Sequence, residues 1–241
     1  MVQLSVNINK VATLRNARGG KEPNVLEFAL KAEQFGANGI TVHPRPDERH
    51  IRKADVLELA SSISTEFNIE GYPSADYLEL LRQVRPAQAT LVPDPPNVLT
   101  SNAGWDVKTH EGFLREVVAE LKSRGCRVSI FMDPEPKAME LVAKIGADRI
   151  ELYTEAYAAQ FPVDPKGAIQ PYLEAAQAAV QAGLGLNAGH DLNLQNLGFL
   201  VHSLPNLLEV SIGHAFISDC LDYGLKNTTG MYRRLCQPLS E

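Results

Sequence analysis

The sequence predicts a closed barrel of eight β/α units, and three observations predict it. Eight short runs rich in Val, Ile and Leu each stop at a polar or ionisable residue. Each of the first seven is followed by a segment with the 3.6-residue apolar period of a helix. Gly36, Gly125, Gly146 and Gly183 each stand a few residues before the next run, where a left-handed helix cap suits glycine best. Near-continuous apolar runs are what strands buried on both faces look like, which favours a parallel sheet. Eight such units in 241 residues match the size of a (β/α)8 TIM barrel with its active site at the C-terminal ends of the strands. A single barrel domain over residues 1–241 is therefore expected. The rival, an open doubly wound sheet, lacks support because no GxGxxG follows the first run and the units continue evenly to the end.

Taken in order, residues 4–9 end in Asn7 and Asn9, and a loop with Arg15 and Arg18 leads to a helical stripe of Val25, Phe28, Ala29 and Ala32. Residues 38–43 end in His43, followed by a loop carrying Arg45, Arg49, His50 and Arg52. Residues 68–70 end in Glu70 and residues 89–94 in Asp94. The connection 94–106 holds Pro95, Pro96, Thr100, Gly104 and Trp105, and structureless connections of that length are often active-site lids. Phe113, Leu114, Val117, Val118 and Leu121 then form one apolar stripe, and residues 127–133 end in Asp133. Another stripe, Ala138, Met139, Leu141, Val142 and Ile145, precedes residues 149–154 with Glu151 and Thr154. The last two runs, 184–190 and 207–214, end in His190 and His214.

Composition narrows the function classes. With 44% hydrophobic and 22% charged residues the chain is an ordinary globular protein. Its net charge of −6 and the lack of a basic, aromatic-interleaved patch speak against nucleic acid as a partner. Cys126, Cys220 and Cys236 are an odd number without CxxC spacing, which speaks against a disulfide framework or zinc site and favours a reducing compartment. No apolar run reaches about 18 residues and no signal pattern opens the chain, so neither a membrane span nor secretion is expected, and a cytoplasmic enzyme fits.

The run ends together read as one catalytic rim. A lone histidine at such a place also serves to satisfy a loop carbonyl, and His43 alone would decide little. Further histidines at comparable places, His190 and His214 among them, point to chemistry. Glu70 and Glu151 are costly inside a barrel unless paired or reactive, and a structural salt bridge remains the alternative. Phosphate often binds such barrels after the last two strands and at the N-terminus of a following short helix, and Gly213 allows close backbone approach there. Two separated basic loops suggest two phosphates, with Arg49 and Arg52 read as surface charge. The histidines lack HxH or HExxH spacing, so no metal is expected.

The motifs Val6-Asn7-Ile8-Asn9, Ala12-Thr13-Leu14-Arg15-Asn16-Ala17-Arg18-Gly19, Gly39-Ile40-Thr41-Val42-His43, Arg49-His50-Ile51, Leu91-Val92-Pro93, Asn187-Ala188-Gly189-His190 and Ile212-Gly213-His214-Ala215 closely resemble the pyridoxine 5′-phosphate synthase family, from residue 4 to about residue 235. The resemblance implies an enzyme of vitamin B6 biosynthesis, without a cofactor, assembled as an octamer built from dimers. It implies that 1-deoxy-D-xylulose 5-phosphate and 3-amino-2-oxopropyl phosphate condense to pyridoxine 5′-phosphate, phosphate and water. By the same resemblance His43 and Glu70 accept protons, His190 donates one, and Glu151 stabilises cationic centres. Arg45, His50 and Thr100 would meet the pentulose phosphate, and Asn7, Arg18, Gly213 and His214 the amino-ketone phosphate.

The chain departs from the commonest family pattern in three places. Asn9-Lys10 stands where Asp-His is frequent at a pentulose contact, Asp191 follows His190 where glycine is usual beside the presumed phosphate site, and Asp94-Pro95-Pro96-Asn97 replaces a more charged stretch. Two other functions remain open at this stage. Lys10, desolvated at a strand tip, would suit a Schiff-base aldolase-like lyase. A non-catalytic phosphate-ligand sensor is the other, although the retained His43, Glu70 and His190 speak against it.

Overall fold

The computed structural model describes residues 1–94 and 103–238. Eight parallel strands close on themselves in sequence order, with β8 pairing back onto β1. The strands are β1 (Gln3–Asn7), β2 (Gly39–Val42), β3 (Glu66–Gly71), β4 (Gln88–Leu91), β5 (Arg127–Met132), β6 (Arg149–Tyr153), β7 (Gly185–Gly189) and β8 (Leu207–Ile212). Each lies within an expected run or within two residues of it. Helices α1 (Asn9–Arg18) and α2 (Val25–Gln34) follow β1, α3 (Lys53–Ser62) follows β2, α4 (Ala75–Val84) follows β3, and α5 (Glu111–Ser123) precedes β5. A 3-10 turn and α6 (Met139–Lys144) lead to β6, α7 (Glu155–Gln160) and α8 (Pro165–Gln181) to β7, and α9 (Leu197–Ser203) to β8. The chain closes with α10 (His214–Tyr223) and α11 (Leu225–Leu235).

Local chemistry sets these boundaries. Asn24 and Ser74 cap α2 and α4 by accepting from the backbone N–H three residues on, at 2.9 and 3.3 Å, and Asp164 caps α8 at 3.0 Å. Gly36, Gly125, Gly146 and Gly183 all have positive φ, between 78° and 103°, the conformation that ends a helix most cheaply with glycine. Residues 10–18 are not a loop as expected but helix α1, which starts directly at the rim. Arg15 accordingly turns inward, and its guanidinium meets the Asp55 carboxylate of α3, with Nη2 donating to Oδ2 at 2.9 Å.

The strands also differ from the expected pattern in a way that matters for function. They alternate. Leu4, Val6, Ile69, Leu91, Val128, Ile130, Ile150, Leu152, Ala188 and Val210 are fully buried members of the main core. Between them stand Ser5, Thr41, Asn68, Thr90, Ser129, Glu151 and Asn187, equally buried and all polar. Hydrogen bonds between strands that are not neighbours cross the interior: Asn187 of β7 donates to Gln88 of β4, which in turn donates to Glu209 of β8. The barrel therefore has a dry apolar shell under the helices and a polar lumen. Among the described residues no helix is long and apolar enough to cross a membrane.

Candidate active site

A cavity of about 560 Å³ opens at the C-terminal ends of the strands. Asn7, Asn9, Lys10, His43, Arg45, His50, Glu70, Glu151, His190, Asp191, Gly213 and His214 all line it, bringing together twelve of the positions singled out from the sequence. Arg18 is not among the lining residues. It sits exposed at the far end of α1, nine residues and about 14 Å along the helix axis from Asn9. Thr100 and most of the expected lid lie outside the described residues.

The first strand tips set one wall. Asn7 Nδ2 donates to Glu70 Oε2 at 3.4 Å, and its Oδ1 accepts from the backbone of Asn9 at 3.1 Å. The Asn9 Oδ1 in turn accepts from the His43 backbone at 2.9 Å, tying the start of α1 to the end of β2. His43 Nδ1 lies 3.7 Å from Glu70 Oε2, and both side chains are nearly buried. Burial, and then the nearby Arg45, His50 and Arg49, push the His43 imidazole well below its usual range. Burial and the Asp94 carboxylate push Glu70 up to about 8. The pair is thus biased toward neutral imidazole and protonated carboxyl, each shifted against its charged form.

Glu151 lies one step deeper, hydrogen-bonded by Thr90 at 3.4 Å. Burial and the neighbouring Glu70 raise its carboxyl well above the ordinary range. Gly189 leaves the room it needs, since a methyl group there would overlap the Glu151 carboxyl. Val92, Phe131 and Tyr153 form an apolar shelf at this height, with the Phe131 and Tyr153 rings 5.2 Å apart. The His190 ring stands edge-on to Tyr153 at 4.8 Å.

The other wall is basic. Arg45 Nη2 pairs with Asp94 Oδ2 at 2.9 Å, both buried. Burial and Arg45 push His50 down to about 4. Arg49, expected to be mere surface charge, also lines the cavity and pairs with Asp47 at 2.7 Å. Across the opening, Gly213 packs its backbone over Asn7, where a Cβ would come within 3.2 Å of the Asn7 Cβ, and α10 starts at His214 with its N-terminus at the rim. Among the described residues no group of three or more His, Cys, Asp or Glu side chains could hold a metal ion.

Two expectations need correction. Lys10 is an exposed residue in the first turn of α1, not a desolvated strand-tip lysine, so the apolar burial that would make it a Schiff-base nucleophile is missing. Trp105 is not part of a loose lid. It is buried, donates from Nε1 to the Leu91 carbonyl at 3.0 Å, and stacks on Tyr72 at 5.8 Å.

Sequence reasoning missed Val92, Phe131 and Ser211, which also line the cavity. Their signal was available. Phe131 and Ser211 each lie two positions along a strand from a buried polar lumen residue, Ser129 and Glu209, on the same face, and Val92 continues the alternation from Thr90 just past the end of β4.

Fold and site together define a β/α-barrel enzyme with acid and base groups gathered at the strand tips. Solved barrels support the fold: phosphoribosylanthranilate isomerase from Thermotoga maritima superposes with a TM-score of 0.62 at 15% identity, covering 99% of this chain and 100% of that one. Thiamine phosphate pyrophosphorylase from Pyrococcus furiosus gives 0.61 at 14% identity, covering 98% and 95%. Residues 4–238 match the family described as "Pyridoxal phosphate biosynthesis protein PdxJ". The pyridoxine 5′-phosphate synthases of Bacteroides fragilis and Cytophaga hutchinsonii are 58% and 56% identical, each match covering 97% of this chain and 98% of the relative. The chain belongs to the pyridoxine 5′-phosphate synthase family.

Proposed function

We propose that this chain condenses 1-deoxy-D-xylulose 5-phosphate with 3-amino-2-oxopropyl phosphate to pyridoxine 5′-phosphate, phosphate and water, a step of vitamin B6 biosynthesis. The observation that carries the reading is the convergence of His43, Glu70, Glu151 and His190 on one rim cavity, in a chain of this family. The reaction joins an amine to a ketone, expels phosphate and loses water until the ring is aromatic, so nearly every step moves a proton. Groups that titrate near the working pH serve such steps best, each typically worth about 10²- to 10⁴-fold in rate.

His43, kept neutral by burial, accepts protons. Glu70, at about 8, takes a proton in one step and returns it in another. His190 donates. Burial and the neighbouring Glu70 favour the protonated form of Glu151, and a cationic iminium-like centre beside it would favour the ionised form, so the carboxylate would develop with the positive charge. Arg45, His50 and Thr100 would hold the pentulose phosphate, with Asn9 and Lys10 toward its hydroxyls. Asn7, Gly213 and His214 would meet the amino-ketone phosphate, with Asp191 beside it, while Arg18, exposed at the far end of α1, stands too far from the rim for the contact the resemblance implies. No resident cofactor or metal enters this scheme. A single-domain protein in the cytoplasm, assembled as an octamer built from four dimers, completes the reading on the strength of the family resemblance, and light scattering on the purified chain checks the assembly.

The test is turnover with both substrates, following pyridoxine 5′-phosphate and inorganic phosphate. Equimolar appearance of the two is expected. Tight binding of both substrates without product would leave the sensor reading standing instead.

A further inference from the structure

The scheme above uses His190 as a proton donor but gives no part to its contact with Asp191. The His190 Nδ1 lies 3.0 Å from Asp191 Oδ2. An ionised carboxylate only accepts hydrogen bonds, so the shared proton sits on Nδ1. Hydrogen bonding to His190, ahead of every other influence, holds the Asp191 carboxyl below its usual range.

The backbone is bent to make this contact. His190 and Asp191 have φ of 85° and 59°, two consecutive non-glycine residues in the left-handed region, each costing roughly 1–2 kcal/mol relative to ordinary backbone. Such strain persists only where the surroundings impose it. Here the buried Thr154 does so: its single O–H is shared between the carbonyls of Gly189 and His190, and its backbone N–H donates to Gly189 at 3.0 Å. Asn196 Nδ2 holds the Asp191 carbonyl at 3.3 Å. The Tyr153 ring closes the side of the imidazole.

We propose that Asp191 is a positioning residue for His190: its carboxylate fixes the imidazole as the Nδ1–H tautomer and sets the ring angle, so that proton exchange with the ligand runs through Nε2. This rests on the proposed role of His190 as proton donor and assigns Asp191 to the histidine rather than to a phosphate, which its negative charge would repel. Carboxylate partners of catalytic imidazoles work by fixing tautomer and orientation. The same bent backbone gives a clean way to test it, because glycine occupies a φ of 59° without penalty.

Asp191→Gly removes the acceptor while relieving the strain. The variant should withstand at least as much denaturant as the parent, while kcat falls roughly 10-fold and KM changes little. Long-range 1H–15N NMR of the His190 ring should lose the Nδ1–H tautomer that the parent displays. Asp191→Asn, whose amide oxygen still accepts from Nδ1–H, should recover part of both readouts. A residue with only a structural role would instead leave kcat intact once the strain is gone. Unchanged kcat in Asp191→Gly, or a ring that keeps the Nδ1–H tautomer without Asp191, overturns the proposal. The NMR readout needs no substrate, so failure of the parent to form pyridoxine 5′-phosphate would condemn the proposed reaction and leave the tautomer result to decide on the dyad by itself.

Discussion

The two ends of the barrel lumen surround their buried glutamates differently. At the N-terminal floor, Glu209 meets Arg149 at 3.1 Å, Glu66 is ion-paired to Arg127, and Gln88 and Asn187 link the two pairs. At the C-terminal rim, neither Glu70 nor Glu151 has an arginine or lysine within ion-pair distance among the described residues. Burying a carboxylate is costly in either place. At the floor guanidinium groups offset part of the cost, whereas Glu70 and Glu151 at the rim rely on keeping the proton, and Asp94 there is paired with Arg45. Glu209 is itself raised to about 8 by burial and by Glu66, and Arg149 pulls it back only in part. A paired carboxylate is a structural element, whereas one held protonated beside an open cavity is available for chemistry.

The comparison is open to breaking by substitution. Arg149→Ala should have the largest effect on stability, about 1–3 kcal/mol by denaturant titration and most above pH 8, because it leaves the buried Glu209 and Asn187 oxygens without their donor. Turnover per folded molecule should stay close to that of the parent. Glu70→Gln should do the reverse, lowering turnover roughly 10²-fold or more with no loss of stability at pH 8. A turnover defect in the floor variant, or unfolding in the rim variant, would erase the distinction.

The same rim residue predicts a pH effect. The Glu70 carboxyl rises from an ordinary 4.5 to about 8 in the folded protein, so the native state binds its proton more tightly than the unfolded chain does. Its contribution is complete below about pH 4.5 and is lost as pH climbs through 8, with a slope of at most about 1.4 kcal/mol per pH unit. Glu209 slopes in the same direction in parent and variant alike, so a flatter stability profile in Glu70→Gln over this window reports Glu70 together with the Glu151 carboxyl it raises. Identical profiles would mean that Glu70 is already ionised in the native state.

Much of this architecture was legible in the sequence. The runs located all eight strands, and the four helix-stop glycines all adopt the left-handed conformation expected of them. The polar lumen was not legible in a search for apolar runs, because Ser5, Thr41, Asn68 and Thr90 look like interruptions until alternation puts them on one face. The floor network escaped for a related reason. Glu66, Arg127 and Arg149 open their strands, where charges read as loop ends, and their partners lie 60 or so residues away. Arg15 and Arg18 looked alike as loop arginines, but only the helix reveals that one turns inward to Asp55 while the other points to solvent. The bent backbone at His190 and Asp191 has no signature in residue types alone, since it is imposed by Thr154 of a neighbouring β/α unit.

The smallest effect is expected at Lys10. Because it is exposed on α1, Lys10→Arg should keep most turnover and raise the apparent KM for the pentulose phosphate several-fold, the charge surviving while the shape changes. Complete loss, together with a borohydride-trapped adduct on Lys10 in the parent, would restore the lyase reading, because a guanidinium cannot attack a carbonyl.

The most direct test of the contrast between rim and floor is infrared difference spectroscopy of the parent against Glu70→Gln from pH 5 to pH 9. The account predicts a protonated-carboxyl band present in the parent, absent in the variant, and titrating with a midpoint near 8. A Glu70 carboxyl already ionised at pH 6 would contradict it.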